Sequence, residues 1–562
     1  MKYHFPKRLL SAALTLALLA GLLCTSAFAA TYVGATEIAP VGGTDGDGKI
    51  TVTVYDYAPG NVGNGDKIQN PQGTPVDGVG INALRIGSVV ELTMEETPDG
   101  GATTQVAFGL GKTMVTALKL DADMAIASNG DVSYFKPQDV QKAVENADQA
   151  ALETLAAGQG SSNKVTGDNG VAEFTGLTYG LYLLAKSELP AEATTDFAPF
   201  LVSVPMYVND SWTQDVYAYP KVRTGEIETA KKVDDTDKYV NAGQTLNFTI
   251  TETIPASNAT TGANSANNFT KFEITDTNAK KTLNLQTNTL VVKLGNVTLN
   301  GADEETYNKA DADSKKTYDY FYTYADSSST PAQSVLTITL TDTGLGKLNL
   351  DMTEKQTLTV TYSATVATDV NFESNLENTA LLTYRRAGMD ATAEDATTNS
   401  SSVDLYTYGI DLTKTLSDAS DQIGADQITF ELYEDSNGAL GAKVPVTGSN
   451  GIYWQAKTEE SPAVAMHVTS GSNSGHVKLY GLEPGTYYLK ETATQNGYAL
   501  LDQPITIVIS TSGDVSVSDP TVSATVNNAD ATVSNGVVQL SVTNTKLTAG
   551  FQLPQTGGEG TL

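Results

Sequence analysis

The sequence predicts a mainly β protein of three tandem β-sandwich domains, the first of which carries a helical insert. Short segments in which apolar and polar residues alternate recur along the chain, as in residues 50–54, 246–250 and 428–432. Such alternation is typical of strands with one buried face. In the second and third domains these segments follow one another without helical patterns between them, which favours antiparallel sandwiches.

Size and composition limit the class of protein. The 562 residues suffice for about three or four domains, and 40% hydrophobic residues can form sizeable cores. The formal net charge is −31. This charge argues against nucleic acid or anionic lipid as a partner and for a solvated, self-repelling surface.

Residues 1–29 are typical of a signal peptide. A positively charged start precedes an apolar run over residues 9–23, and residues 27–29 (AFA) fit the small-x-small cleavage pattern. The single cysteine, Cys24, lies inside this segment. We therefore expect an exported protein whose mature chain has no disulfide bond to stabilise it.

Candidate residues for enzyme chemistry are scarce. The three histidines, His4, His467 and His476, are too scattered for a zinc site or a Ser-His-Asp triad. Asp45, Asp47 and the aspartates of residues 234–237 could ligate Ca²⁺, but neither group matches an EF-hand loop. We predict no enzyme activity, no cofactor and no metal site.

The predicted first domain covers residues 30–223. From Pro137 to Ala157 apolar residues recur at helical spacing, and Gly158 follows the predicted end. The positions that define the apolar face include Val140, Val144, Ala151 and Leu155. This pattern predicts one surface helix packed on a β domain.

The second and third domains are predicted over residues 224–405 and 406–550. Alternating segments continue through both, for example in residues 336–340 and 505–509. Repeated short strands of this kind predict sandwich domains. Residues 551–562 form a separate C-terminal segment.

Strand geometry places ionisable and amide side chains on buried faces. Because side chains alternate between the faces of a strand, a residue lies on the same side as those two and four positions away. In the third domain Lys414, Glu491 and Asn544 each share a face with apolar residues at those positions. Each is therefore predicted to point inward.

The second domain repeats the arrangement. Lys231, Asp276 and Asn378 share faces with apolar neighbours in the same order, lysine, acid and asparagine. Lys232 stays open as an alternative to Lys231, although its parity places it with the acidic residues that precede it. Two domains thus direct the same three residue types toward a core.

These residue types support a covalent reaction. A buried ammonium or carboxylate is costly, so its pKa shifts toward neutrality. A neutral lysine is a nucleophile, and a protonated carboxyl group can polarise an amide carbonyl. Held together in a dry core, the amine can attack the asparagine side-chain carbon and expel ammonia. We predict isopeptide bonds Lys231–Asn378 and Lys414–Asn544, promoted by Asp276 and Glu491.

Three motifs resemble those of one protein family. Residues 553–558 (LPQTGG) resemble the LPxTG sorting signal, residues 216–222 (VYAYPKV) the YPK pilin motif, and residues 485–498 the E-box of a CnaB-type domain. Over essentially the whole chain, the sequence resembles the major, or shaft, pilins of Gram-positive bacteria, of the Spa and Fim type. The resemblance implies Ig-like sandwiches, CnaA-type in the second domain and CnaB-type in the third.

The resemblance also implies a polymerising reaction. The sorting signal comprises Leu553, Pro554, Gln555, Thr556 and Gly557. In such pilins a class C sortase cleaves after the threonine and leaves a thioacyl intermediate on the Thr556 carbonyl. The pilin-motif lysine resolves it, which here is Lys221, held next to Pro220 at the predicted domain junction.

The first domain and the C-terminus depart from the family pattern. In the opening strand of the first domain, Thr51, Thr53 and Tyr55 occupy the places where a lysine would be expected. Lys186 lies where the E-box acid would fall, with Glu188 displaced. We therefore predict no isopeptide bond there. Val222 stands where the family often has Asn. No apolar span or basic tail follows the LPxTG motif. Either the sorting segment is truncated, or the chain is retained at the membrane before sorting in another way.

Two functions remain in view at this point. The resemblance implies a structural pilus subunit on the cell wall and surface. Its implied partners are further copies of the chain, a class C sortase, a housekeeping sortase with peptidoglycan, and minor pilins. The alternative is a monomeric LPxTG-anchored adhesin that binds a host matrix protein or glycan and does not need Lys221.

Overall fold

Three groups of β-strands follow one another in the computed structural model of the chain: an N-terminal, a middle and a C-terminal unit. The structure describes residues 31–56, 63–96, 101–257, 265–327, 332–350, 352, 354–367, 375–456, 464–513 and 519–547. The predicted signal peptide and the sorting signal lie outside these residues. The predicted mainly β fold with several sandwiches is confirmed.

The N-terminal unit combines strands with short helices. Its strands are β1 (Thr31–Glu37), β2 (Gly48–Thr53), β3 (Tyr55–Asp56), β4 (Gly80–Glu96), β5 (Gly101–Gly111), β6 (Ala127–Asn129), β7 (Val132–Phe135), β8 (Ser162–Val165), β9 (Val171–Leu177), β10 (Gly180–Glu188), β11 (Phe200–Val204), β12 (Met206–Val208), β13 (Ser211–Thr213), β14 (Asp215–Ala218) and β15 (Lys221–Val222). Its helices are α1 (Lys112–Ala117), a 3-10 turn (Ala122–Met124), α2 (Pro137–Asn146) and α3 (Gln149–Ala156).

The two larger cores of this unit form on opposite faces of its large sheet, and a smaller cluster lies around Leu92 and Tyr134. That sheet has the order β11-β10-β4-β5-β7-β6, and β1 and β8 also pair with β4. One face packs on the small sheet β14-β2-β9, as Ile50 and Ile81 share a cluster. The other face packs on the helices, with Val140 and Leu183 in a second cluster.

The single helix predicted from Pro137 to Ala157 is wrong in detail, because the structure has two helices there. Asp148 lies between them and accepts a hydrogen bond from the Ala151 backbone N–H at 2.9 Å, so it caps a new helix. The restart shifts the buried face: Leu152 and Ala156 are buried, whereas Ala151 is exposed.

The middle unit is a sandwich of two sheets. Its strands are β16 (Glu228–Val233), β17 (Thr245–Ile254), β18 (Phe269–Ala279), β19 (Leu283–Leu294), β20 (Val297–Thr298), β21 (Gly301–Asp303), β22 (Tyr320–Ser327), β23 (Gln333–Leu340), β24 (Gln356–Val366), β25 (Asn378–Arg386), β26 (Ala396–Thr397) and β27 (Ser401–Val403). Its helices are α4 (Glu304–Lys309), α5 (Ala312–Lys315) and α6 (Asp342–Leu348).

The core of the middle unit lies between these sheets. One sheet has the order β16-β17-β24-β19-β20, and the other β21-β22-β23-β18-β25-β26, with β27 also on β25. Residues of both sheets, such as Phe248 and Ile274, alternate inward into one cluster. This is the half-buried alternation that the sequence shows.

The first and last strands of the C-terminal unit pair with each other in the middle of its strand order. Its strands are β28 (Tyr408–Leu416), β29 (Thr429–Asp435), β30 (Leu440–Lys443), β31 (Val446–Ser449), β32 (Ile452–Gln455), β33 (Met466–His467), β34 (Ser474–Leu482), β35 (Gly485–Ala493), β36 (Ile505–Ser512), β37 (Thr521–Val526), β38 (Ala529–Ser534) and β39 (Val537–Asn544). The strand order is β30-β29-β35-β36-β37-β38-β39-β28-β34-β32-β31, and β33 also pairs with β29.

The units contact their neighbours along the chain. Between the middle and C-terminal units, the Val240 N–H donates to the Tyr406 carbonyl at 2.9 Å, and the Ala242 N–H donates to the Gly481 carbonyl at 3.1 Å. Gly481 has a φ of +84°, and a Cβ there would lie 2.3 Å from the Ala242 Cβ. Glycine is therefore required at this contact.

Candidate functional site

The first and last strands of the C-terminal unit bring Lys414 beside Asn544. Strands β28 and β39 are parallel neighbours, with Leu416 opposite Asn544 and Lys414 opposite Val542. Lys414 and Asn544 are therefore diagonal neighbours on one inward face. Glu491 reaches the same point from β35, which belongs to the opposite layer.

The three side chains form a closed polar cluster in this core. Lys414 Nζ lies 2.5 Å from Asn544 Oδ1 and 3.6 Å from Glu491 Oε1. Asn544 Nδ2 donates to the same Glu491 oxygen at 2.8 Å. Both Lys414 and Glu491 have fully buried side chains. One carboxyl oxygen thus lies between the amine and the amide nitrogen.

Burial changes the acidity of the Lys414 amine. Desolvation lowers the pKa of Lys414 to about 8, although the charge of Glu491 opposes the shift. A lowered pKa increases the fraction of neutral, nucleophilic amine near neutral pH. The cluster therefore holds an amine of lowered pKa against the side-chain amide of Asn544.

The middle unit builds a second cluster across its two sheets. Lys231 lies on β16 in one sheet, whereas Asp276 on β18 and Asn378 on β25 lie in the other. Asn278 pairs with Asn378, and Asp276 pairs with Ala380, so Asp276 and Asn378 are diagonal neighbours on one face. The Lys231 side chain is fully buried and forms an ion pair with Asp276 Oδ1.

The hydrogen bonds around Asn378 fix the orientation of its amide. In one orientation the Asn378 amide nitrogen donates to Asp276 Oδ1 at 2.9 Å and to the Thr277 carbonyl at 3.1 Å. The amide oxygen then accepts from Lys231 Nζ at 3.1 Å and from the Tyr362 hydroxyl at 2.8 Å. The reverse orientation would turn the amide nitrogen toward the ammonium donor and the amide oxygen toward the carboxylate. The first orientation is therefore the one that satisfies both amide atoms.

The two clusters therefore share one geometry. In each, the lysine nitrogen contacts the amide oxygen, and one carboxyl oxygen contacts both the lysine nitrogen and the amide nitrogen. Burial lowers the pKa of Lys231 as well, against the opposing charge of Asp276. The residues predicted from strand parity are those that the structure brings together.

The structure also separates the two lysines that the sequence left open. Lys231 points into the core, whereas Lys232 is exposed on the other face of β16. Only Lys231 is therefore in contact with Asp276.

Sequence reasoning missed two members of these clusters. Tyr362 on β24 hydrogen-bonds through its hydroxyl to Asp276 Oδ2 and lies 3.1 Å from Lys231 Nζ. Thr494, just after β35, accepts a hydrogen bond from Asn544 Nδ2 at its hydroxyl. Parity could have found Tyr362, which shares the inward face of Val360 and Ala364; a tyrosine on such a face is ordinarily taken as core.

The N-terminal unit also holds a buried lysine, and its partners are two carboxylates. Lys186 on β10 is buried and forms ion pairs with Glu153 of α3 and, at 3.0 Å, with Asp196. Glu188, two residues further, is partly buried, and desolvation raises the pKa of its carboxyl group. The absence of an isopeptide bond in this unit stays a prediction.

Lys221 lies at the end of the N-terminal unit. Strand β15 runs parallel to β3, with Lys221 opposite Tyr55. Its Nζ donates to the Tyr219 carbonyl at 3.3 Å, and the side chain is half-buried. Desolvation lowers the pKa of the Lys221 amine. A short strand pairing thus fixes this amine at a defined place.

The aspartate-rich loops use their carboxylates as backbone caps. Asp45 accepts from the Tyr179 N–H at 2.7 Å, and Asp234 accepts from the Asn247 N–H at 2.9 Å. Over the described part of the chain, no three histidine, cysteine or acidic residues are grouped as metal ligands. Among the same residues, no helix has the length and hydropathy that crossing a bilayer requires.

Two regions match known protein families. Residues 116–222 match the family model of the Gram-positive pilin subunit D1, N-terminal domain. The chain contains a pilin-like region. Residues 410–521 match the SpaA family model, a prealbumin-like fold domain. The pilin-like region ends one residue after Lys221, and the SpaA-like region contains Lys414 and Glu491. No curated protein matches the chain.

Several solved pilins are similar in structure. SpaA of Corynebacterium diphtheriae is 19% identical, with a TM-score of 0.43, and the match covers 89% of this chain and 100% of SpaA. RrgB of Streptococcus pneumoniae is 15% identical, with a TM-score of 0.46, and the match covers 91% of this chain and 100% of RrgB. BcpA of Bacillus cereus is 15% identical, with a TM-score of 0.38, and the match covers 89% of this chain and 99% of BcpA.

Proposed function

We propose that the chain is the shaft subunit of a covalently polymerised pilus on the bacterial cell surface. In this proposal a pilus-type sortase joins Thr556 of one subunit to Lys221 of the next. Isopeptide bonds Lys231–Asn378 and Lys414–Asn544 stiffen each subunit. The chain is a substrate of the sortase and catalyses only its own internal bonds.

The observation that carries the proposal is the pair of buried lysine–carboxyl–asparagine clusters. Two separate units build the same arrangement, with the amine against the amide and one carboxyl oxygen between them. An ion pair buried only for stability gains little over apolar packing. A covalent product would explain why both units keep a lysine in the core.

The pilin-like region supports the intersubunit step. It ends beside Lys221, whose amine is half-buried and has a lowered pKa. In the proposed step the sortase cysteine breaks the Thr556–Gly557 bond and holds the Thr556 carbonyl as a thioester. Lys221 Nζ then forms an amide with that carbonyl, and the cysteine thiol leaves. Polymer growth needs this amine at one fixed place on each subunit.

A polymerisation assay tests the intersubunit bond. The chain is produced together with a class C sortase in a Gram-positive host, and wall extracts are separated under denaturing conditions. Lys221→Ala is expected to abolish the ladder of covalent polymers. Lys232→Ala, which removes an exposed lysine of the middle unit, is expected to keep it.

The opposite result would favour the anchored adhesin. A single wall-linked band that is the same for wild type and Lys221→Ala would overturn the pilus proposal. A ladder that survives Lys221→Ala would overturn the choice of lysine.

Intact mass tests the internal bonds separately. The chain without its signal peptide, produced in the absence of a sortase, is expected to have a mass lower than that calculated from its sequence. The difference should equal two molecules of ammonia, one for each bond. An unmodified mass would contradict both crosslinks, whatever the polymerisation assay gives.

A further inference from the structure

The Tyr362 hydroxyl lies among all three reacting groups of the middle cluster. It is 2.8 Å from the Asn378 amide oxygen and 3.1 Å from Lys231 Nζ, and it is hydrogen-bonded to Asp276 Oδ2. No sequence motif points to this residue.

The surrounding strands hold Tyr362 in this position. It pairs with Phe248 across β17 and β24, and the two rings stack with centroids 5.3 Å apart. Tyr362 is 3% exposed. A side chain fixed by packing and shielded from water is preorganised for a proton transfer or for stabilising a developing charge.

We propose that Tyr362 is a catalytic residue in formation of the Lys231–Asn378 bond. Its hydroxyl passes a proton from Asp276 to the amide oxygen of Asn378 as the amine attacks. This inference rests on the internal crosslink of the proposed function.

The step balances as follows. The ion pair first becomes neutral: the Lys231 ammonium gives a proton to Asp276, which leaves a neutral amine and a carboxyl group that presents its proton to Tyr362 from Oδ2. The Nζ lone pair forms a bond to Asn378 Cγ, and the carbonyl π electrons move to the oxygen, which takes the Tyr362 proton. Tyr362 takes the Asp276 proton in the same event.

Collapse of the tetrahedral intermediate restores both residues. Asp276 Oδ1, which faces both nitrogens, takes a proton from Nζ and delivers it to the amide nitrogen. The Cγ–N bond then breaks and ammonia leaves, while the oxygen returns its proton through Tyr362 to Asp276. A small cavity bordered by Asp276, Tyr324, Tyr362 and Asn378 lies beside the cluster and can receive the ammonia.

The Tyr362 hydroxyl is protonated in the resting cluster, as the proposed transfer requires. Burial, and then the charge of Asp276, raise the pKa of its hydroxyl well above the ordinary value. The group therefore keeps its proton until the amide oxygen gains negative charge.

In the C-terminal cluster the second carboxyl oxygen has a backbone partner instead of a tyrosine hydroxyl. The second oxygen of Glu491, Oε2, accepts from the Leu501 backbone N–H at 2.9 Å. A backbone N–H can donate but cannot relay a proton. Formation of the Lys414–Asn544 bond is therefore independent of Tyr362, and it provides an internal control in the same chain.

A kinetic experiment on newly synthesised full chain tests the inference. Cell-free synthesis is stopped, samples are denatured in acid at increasing times, and both crosslinked peptides are quantified by mass spectrometry. Tyr362→Phe keeps the ring and removes the hydroxyl. It is expected to slow the Lys231–Asn378 bond by about 100-fold, the typical cost of losing one such donor, with the Lys414–Asn544 rate unchanged.

Tyr324→Phe is the matched control. Tyr324 lines the same cavity, and its hydroxyl contacts the Leu283 carbonyl at 3.5 Å rather than the reacting amide. It is expected to leave both rates unchanged. Equal rates for the Lys231–Asn378 bond in wild type and Tyr362→Phe would overturn the inference, whereas a wild type without that bond would overturn the crosslink itself.

Protease digestion of the middle unit would reveal whether Tyr362→Phe fails to fold. A second measurement does not depend on that variant. Synthesis with fluorotyrosine keeps the ring and makes every tyrosine hydroxyl a stronger acid. The ratio of the two bond-formation rates is then expected to change several-fold. An unchanged ratio would overturn the inference.

Discussion

Lys414 and Asn544 lie 130 residues apart along the chain, yet Lys414 Nζ is 2.5 Å from Asn544 Oδ1. They meet because the first and last strands of the C-terminal unit pair in parallel. A covalent bond at this point would close almost the whole unit into one loop. By the estimate used for disulfides, such a closure stabilises the unit by roughly 5 kcal/mol, and it would prevent the unit from extending under tension.

Glu491→Gln is expected to block the Lys414–Asn544 bond. The substitution keeps the shape of the side chain but removes the carboxyl group that exchanges protons between the amine and the amide. The variant should be heavier than wild type by one ammonia, apart from the mass of the substitution. It should also unfold at a lower temperature, since the crosslink is lost.

Glu431→Gln is the control for this variant. Glu431 lies on the neighbouring strand β29, where it forms a surface ion pair with Lys443 at 2.7 Å. It should keep the crosslink and nearly all of the stability. A crosslinked Glu491→Gln chain would remove Glu491 from the mechanism.

Much of the candidate site could be predicted from the sequence because strand parity is a strong constraint. Lys231, Asp276 and Asn378 each sit in a run of alternating apolar residues, so the direction of their side chains follows from geometry. The same alternation separates Lys231 from Lys232, and in the structure Lys231 is buried whereas Lys232 is exposed.

The rest depends on tertiary structure. Tyr362 shares the inward face of an apolar strand, and only the packing of two sheets brings its hydroxyl to Asp276. The break between α2 and α3 depends on the cap at Asp148, which the apolar spacing does not reveal. The partners of Lys186 come from a helix and a loop that are distant in sequence.

The stability of the middle unit is expected to fall as pH rises toward neutrality, because of Glu252. This carboxyl group is fully buried; Thr229 donates to Oε2 at 2.7 Å, and Oε1 has no hydrogen-bond partner in the described structure. Desolvation raises the pKa of Glu252 from 4.5 to about 7. Between these values the folded state binds more protons than the unfolded state, so raising the pH destabilises it.

Glu252→Gln should remove this dependence. Thermal unfolding followed from pH 4 to pH 8 should show a flatter profile for the variant, and at pH 8 a gain on the order of 1 to 3 kcal/mol. Glu228→Gln, on the exposed face of the paired strand β16, is the control and should follow wild type. A variant with the wild-type pH profile would show that Glu252 is not the titrating group.

Arg386 holds the middle unit against the N-terminal unit. It is 2% exposed, its Nε donates to the Ala191 carbonyl at 3.2 Å, and its Nη1 donates to the Asn267 carbonyl at 2.7 Å. The guanidinium group lies 4.1 Å from the centre of the Phe269 ring. Burial lowers the pKa of Arg386 to about 10, so the group still carries its charge at neutral pH.

Arg386→Ala is therefore expected to loosen the junction between these two units. It leaves the buried Asn267 carbonyl and the partly buried Ala191 carbonyl without this donor and removes the stacked cation, a loss of roughly 3 kcal/mol. Limited proteolysis should show faster cleavage in residues 189–197, and the melting temperature should fall. Arg385→Ala removes the neighbouring guanidinium, which is paired with Asp395 at 3.0 Å near the surface, and should have little effect. Equal cleavage rates in the two variants would show that the junction does not depend on Arg386. The next contact to test would then be the hydrogen bond from the Leu189 N–H to the Gly388 carbonyl, at 2.6 Å.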